Sequence, residues 1–157
     1  MEKFDKGKIG LAGEMRVTSE LLKKGYDASI TFGNSKATDI VVFGNKNNFL
    51  RVEVKTSKNQ RNFVTGYYPK YTDESKLSPD VWVFYLPSKD AESDGDRFFI
   101  LTHKEVGKLQ LIVNKGHKTE KGQGCDNIPL RLLIEHADSF EDRWGLFQEL
   151  ILLNSQS

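Results

Sequence analysis

Apolar positions along this chain fall into two rhythms. Over 9–24 they recur every three to four residues. Ile9, Ala12, Val17, Leu21 and Leu22 lie near one face, with Met15 to one side, which predicts a helix that Gly25 closes after Lys23 and Lys24. Farther along, the rhythm shortens to two. Over 49–56, Val52 and Val54 share one face of a strand while Arg51, Glu53 and Lys55 share the other. Over 38–43, Ile40 and Val42 oppose Asp39, Val41 and Phe43. The two runs read as a hairpin turning over Asn45-Lys46-Asn47-Asn48.

Further strands are expected at 26–32, 61–68, 80–86 and 97–101. The run Val81-Trp82-Val83-Phe84-Tyr85 is almost continuously apolar, as in a strand buried on both faces. Thr102 with Glu105 spells a capping box for a helix from His103, and Ser139 with Asp142 spells another before a last helix through Trp144, Phe147, Leu150 and Ile151. The stretch 128–135 fits strand or helix. A helix, a run of strands and then helices make an α/β chain of mixed α+β character, a central mixed sheet flanked by helices. One domain over 1–157 is expected, with a core over about 7–102 and a C-terminal helical and loop extension over about 103–157.

Each arm of the hairpin carries a charge that a purely structural strand does not need. Pairing brings Asp39 near Glu53 or Lys55, and it shares their face only where it pairs directly with one of them, as an odd-numbered loop allows. Two carboxylates and an ammonium then converge. Such carboxylates repel one another unless a cation joins them, and oxygen ligands of this kind suit a hard divalent ion such as Mg²⁺. That is the chemistry of phosphodiester hydrolysis. Each residue alone has a plainer reading: Asp39 as the end of a turn, Glu53 and Lys55 as the exposed face of an edge strand. The combination is what points to a site. Upstream, Gly10 and Gly13 weaken a helix by about 1 kcal/mol each against Ala, so their spacing suggests a close approach of helix to sheet or of a phosphate backbone to the helix. Glu14 would then face the hairpin.

The order Gly10-Leu11-Ala12-Gly13-Glu14 on a helix, Asp39 opening a strand, then Glu53-Val54-Lys55 on the next strand resembles the PD-(D/E)xK nuclease superfamily. Within it the pattern is nearest to the archaeal-type Holliday junction resolvases. The resemblance covers residues 7–57, about a third of the chain, and Thr38 stands where the family has its proline. It implies a restriction-endonuclease-like fold and Mg²⁺- or Mn²⁺-dependent endonuclease activity, most often on DNA. It also implies Asp39, Glu53 and the Val54 backbone carbonyl as metal ligands, Lys55 beside the attacking water or the reacting phosphate, and Glu14 as an added carboxylate. The alternative is a catalytically silent module that keeps the fold for nucleic-acid or protein binding. A fortuitous acidic cluster on a small-ligand binder is a third reading.

Charge has to be read by region, because 23 Lys and Arg against 22 Asp and Glu leave a net of only +1. Local basic stretches are the candidates for phosphate contact: Lys58 and Arg61 just after the second hairpin strand, and Lys115 and Lys118 in a Lys- and Gly-rich loop open to wrapping a partner. Phe140, Trp144, Phe147, Ile151 and Leu152 either cover the core or pair subunits in a homodimer. No apolar run approaches a membrane span and the N-terminal residues lack a signal-peptide core. Cys125 is the only cysteine, which excludes an intrachain disulfide and a multi-cysteine zinc site, and a cytoplasmic location is expected.

Overall fold

The computed structural model describes residues 6–31, 38–45, 47–68, 77–89, 95–120 and 122–156. In chain order these form α1 (Lys6–Lys23), β1 (Asp27–Ile30), β2 (Ile40–Phe43), β3 (Phe49–Thr56), β4 (Asn62–Val64), β5 (Val81–Leu86) and β6 (Arg97–Thr102). There follow α2 (His103–Val113), β7 (Asn127–Pro129), α3 (Leu130–Glu135), α4 (Ala137–Phe140) and α5 (Gly145–Asn154).

Helix α1 ends where Gly25 takes a left-handed φ of 87°. Its N–H returns to the Leu22 carbonyl and that of Tyr26 to the Leu21 carbonyl, both at 3.0 Å. This glycine-dependent C-terminal motif is the one expected from sequence. The buried stripe is narrower than expected. Gly13, Val17 and Leu21 face the sheet, while Ala12, Met15 and Leu22 are exposed. Gly13 explains the shift. A Cβ there would overlap Thr56 Oγ1 on β3 and touch the Tyr85 ring, so α1 rests on the sheet through its glycine side. Gly10 has open space around its missing Cβ and serves no such contact.

Five strands make the central sheet, in the order β1-β2-β3-β5-β6. Only β3 and β5 run parallel; the other neighbours are antiparallel. The parallel pair needs a long crossover, and the chain uses it to lay β4 beside β7 as a separate two-stranded sheet. The expected central mixed sheet with flanking helices is therefore present. One face is covered by α1 and α5, where Val17, Leu21, Phe147 and Ile151 meet Ile40, Val42, Val52, Val54, Val81 and Val83. The other face is covered over β5 and β6 only, by α2, α3 and the β4/β7 pair. Strand β5 is buried on both faces, as its apolar run predicts. Over β1, β2 and β3 the second face stays half-open: Asp27, Ser29, Phe43 and Phe49 are exposed, and Val41, Arg51, Glu53 and Lys55 partly so.

The C-terminal third differs from expectation in detail. The Thr102/Glu105 capping box forms as read. The Ser139/Asp142 box does not. Glu141 instead pairs with Phe99 across an isolated bridge and takes both arms of Arg97 at 2.8 Å, and Asp142 adopts a φ of 53°. The helix is interrupted there and α5 starts at Gly145 without a side-chain cap. The ambiguous stretch splits, its first two residues completing β7 and the next six forming α3. Helix α5 also braces the hairpin turn, since Asn48 Nδ2 donates to the Ile151 carbonyl at 3.1 Å and Ile151 packs against Gly44. Among the described residues no helix is long and apolar enough to cross a membrane.

Candidate active site

The hairpin register decides which side chains meet. Phe43 pairs with Phe49, Val41 with Arg51 and Ile40 with Val52. The residues between Phe43 and Phe49 are odd in number, and the paired register ends at Ile40 and Val52, one step short of Asp39 and Glu53. Strand β3, however, runs on to Thr56 past the start of β2. Asp39 fills this step in the sheet. Its N–H donates to the Val52 carbonyl at 2.9 Å, its carbonyl accepts from Thr31 at 2.9 Å, and its Oδ2 accepts the Val54 N–H at 2.8 Å. A side chain thus completes the ladder where backbone has run out. A residue's N–H and C=O point to the same side of a strand, so the Val54 carbonyl faces the same edge as Asp39. The second carboxylate oxygen of Asp39 has no hydrogen-bond partner among the described residues.

Lys55 and Glu53 stand side by side on the half-open face, Nζ and Oε1 2.8 Å apart. Beneath them lies Trp82 of β5, the register partner of Glu53. Lys55 Nζ is 5.9 Å from the indole centroid, within range of a cation–π attraction. Trp82 is held in turn by His103. The indole N–H donates to Nδ1 at 3.1 Å, the two rings stack 6.1 Å apart, and Tyr67 meets the imidazole edge-on at 4.9 Å. Accepting through Nδ1 requires a neutral ring with its proton on Nε2. Burial agrees, pushing the imidazole below its ordinary range against the pull of Asp80. None of this aromatic support was legible in the sequence, where Trp82 and His103 lie in separate elements with no motif between them.

Glu14 of α1 completes the cluster. Burial, then the charges of Asp39 and Glu53, lift its carboxyl to about 7, with Lys55 working against them. Burial and Glu53 lift Asp39 to about 6, against the Val54 N–H and Lys55. The site therefore holds more negative charge than its one ammonium offsets. Among the described residues no three His, Cys, Asp or Glu side chains converge closely enough to enclose a metal ion by themselves. Mg²⁺ does not require such a cage: it characteristically takes one or two carboxylates and keeps several waters. Asp39, Glu53 and the Val54 carbonyl fit that demand in chemistry.

The basic residues divide into two groups. Lys58 and Arg61 are exposed in the turn that follows Lys55. This turn is held by Asn59 Oδ1, which accepts the N–H groups of Arg61 and Asn62, and by Gln60 Nε2 donating to the Pro87 carbonyl. Lys115 and Lys118 are exposed beyond α2. Their loop is closed on itself, with Asn114 donating to the Cys125 carbonyl and accepting its N–H, both at 2.8 Å. No described hydrogen bond or ion pair links that loop to the carboxylates.

No known family model matches the chain, and no curated protein is similar to it in sequence. Among solved structures the chain is similar to a bacterial homing endonuclease, I-Ssp6803I, with 18% identity, 66% of this chain and 73% of that chain covered, and a TM-score of 0.45.

Proposed function

We propose that this chain is a divalent-metal-dependent nuclease of the restriction-endonuclease-like class, acting on DNA. The observation that carries the reading is the junction of β2 and β3, where Asp39 is fixed by the Val54 N–H beside the ion pair of Glu53 and Lys55. Asp39 and Glu53 would hold Mg²⁺ or Mn²⁺, together with the Val54 carbonyl. When bound, the ion lowers the pKa of a coordinated water and neutralises the scissile phosphate.

The protein's own groups do the rest. Lys55, paired with Glu53 in the free site, would be placed to meet the charge that builds on the phosphate once Glu53 served as a ligand. The Trp82 ring keeps that ammonium at the site. Glu14 adds a third carboxyl at the edge of the cluster, raised above its ordinary range in the metal-free site by burial and by the charges of Asp39 and Glu53. Lys58 and Arg61 are suited to phosphates flanking the cut.

The test is cleavage of duplex, branched and single-stranded DNA, and of RNA, with Mg²⁺ or Mn²⁺, for wild type and Asp39→Asn. Metal-dependent cleavage by the wild type that the substitution abolishes is expected. A wild type inert on every substrate yet able to bind nucleic acid would transfer the assignment to the silent module.

A further inference from the structure

The half-open face beside the carboxylates has a chemistry of its own. Phe43 and Phe49 are direct cross-strand partners at the far end of the hairpin, and 47% and 41% of their surfaces remain exposed. Neither belongs to a core cluster. In the next row along β3 stands Arg51, its guanidinium 4.9 Å from the Phe49 ring centroid and without a carboxylate partner among the described residues. Farther along β3 come Glu53 and then Lys55, with the Asp39 carboxylate at the neighbouring strand edge. Two residues along a strand span about 6.7 Å, so aromatic ring, cation, carboxylate and ammonium succeed one another on one strand face. Polar side chains would serve folding equally well at two exposed strand positions, and exposed Phe forgoes the stabilisation its burial would bring.

We infer that this half-face is a platform for an unpaired nucleic-acid strand, with bases on Phe43 and Phe49, a phosphate on Arg51, and the strand running toward Glu53 and Lys55. An exposed ring on a flat sheet offers a π-face, and only an unpaired base can present its own π-face in return. Arg51, without a carboxylate partner among the described residues, favours a polyanion over an apolar protein surface. Asp27, the register partner of Phe43 on β1, puts a carboxylate at the outer corner and limits the platform there. Where the strand leads rests on the nuclease reading; the stacking does not.

The experiment is fluorescence anisotropy of a labelled, unstructured single strand and of a fully paired duplex, with EDTA present so that cleavage plays no part. It uses the full chain and the variants Phe49→Leu, Phe49→Trp, Phe43→Leu and Arg51→Ala. Phe49→Leu keeps apolar bulk and loses the π-face, and is expected to weaken single-strand binding roughly five- to hundredfold. Phe49→Trp should hold it, Arg51→Ala should lower the salt slope by about one, and duplex affinity should change by less than about twofold in the Phe variants. Should Phe49→Leu fail to fold, Phe43→Leu carries the same expectation. Equal single-strand affinity in wild type and Leu variants would overturn the platform. So would a change in sedimenting mass with nucleic-acid affinity intact, which would make the face a protein-docking surface. Single-strand binding that depends on Phe49 in a protein that cuts nothing would keep the platform and remove the nuclease. Cleavage by a wild type whose Leu variants bind normally would do the reverse.

Discussion

Lys55 holds Glu53 in a 2.8 Å ion pair on the half-open face of β3, so the ammonium and any cation at the site compete for one carboxylate. Removing the ammonium should therefore separate two properties that usually fall together. Lys55→Ala is expected to bind Mg²⁺ at least as tightly as wild type, yet to cleave about a hundred- to a thousandfold more slowly, the range for a lost transition-state charge. Lys55→Arg should restore only part of the rate, because a planar fork does not place its charge where a compact ammonium sits. Calorimetric titration beside a cleavage assay checks both halves. Full activity in Lys55→Ala would dismiss the catalytic role.

Asp39 and Glu14 connect the site to stability. A carboxyl whose folded-state pKa stands above its ordinary value favours folding while protonated and loses that contribution as pH rises through the folded-state pKa. Metal-free protein should accordingly lose stability between about pH 4 and about pH 7, as Asp39 and Glu14 ionise. The loss is on the order of a few kcal/mol once screening of the partly exposed Asp39 and Glu14 is allowed for. Mg²⁺ should restore it at the upper end. Urea melts across this range should show the slope in wild type and a flatter profile in the Asp39→Asn, Glu14→Gln pair; equal slopes would contradict the charge crowding.

Metal affinity should rise over the same interval, since ligand carboxylates must shed their protons before a cation binds. Asp39→Asn should weaken Mg²⁺ binding severely, having lost a charged oxygen. Thermal shift with and without the ion, at several pH values, reads both effects. Identical metal responses in variant and wild type would exclude Asp39 as a ligand.

Gly10 and Gly13 of α1 should respond in opposite directions. Gly13→Ala drives a methyl into Thr56 Oγ1 and should cost about 1–3 kcal/mol, with partial recovery in the Gly13→Ala, Thr56→Ala double variant. Gly10→Ala meets nothing within 4 Å and should stabilise by up to about 1 kcal/mol. Chemical denaturation of the three variants beside the wild type is sufficient.

The hairpin was legible because period-two alternation is written locally, but the parity of its loop was left open: the turn expected over 45–48 has four residues, whereas five separate Phe43 from Phe49. What Asp39 does for the Val54 N–H could not be read, since it depends on β2 stopping short of the end of β3. On α1 the large apolar residues pointed to a face that included Leu22, whereas the smallest residue, Gly13, sets the contact. Pattern reading weighs bulk, and close packing is sometimes governed by its absence. The interrupted last helix has a tertiary cause as well: Arg97, far away in sequence, draws Glu141 out of helical geometry. Lys115 and Lys118 were visible as a basic run, but the Asn114 bridge that closes their loop left no trace in composition.

The brace between Asn48 and Ile151 spans 103 residues of sequence. Tyr26, next to the end of α1, likewise donates its hydroxyl to the Trp144 carbonyl at 2.8 Å. Contacts of such long sequence separation form late, after loop closure has been paid for in entropy. During synthesis from the N-terminus, the hairpin that carries Asp39 and Glu53 would leave the ribosome well before the helix that steadies its turn. A growing chain would thus carry the carboxylates without their finished geometry, and competence at this site would arrive only once α5 has docked.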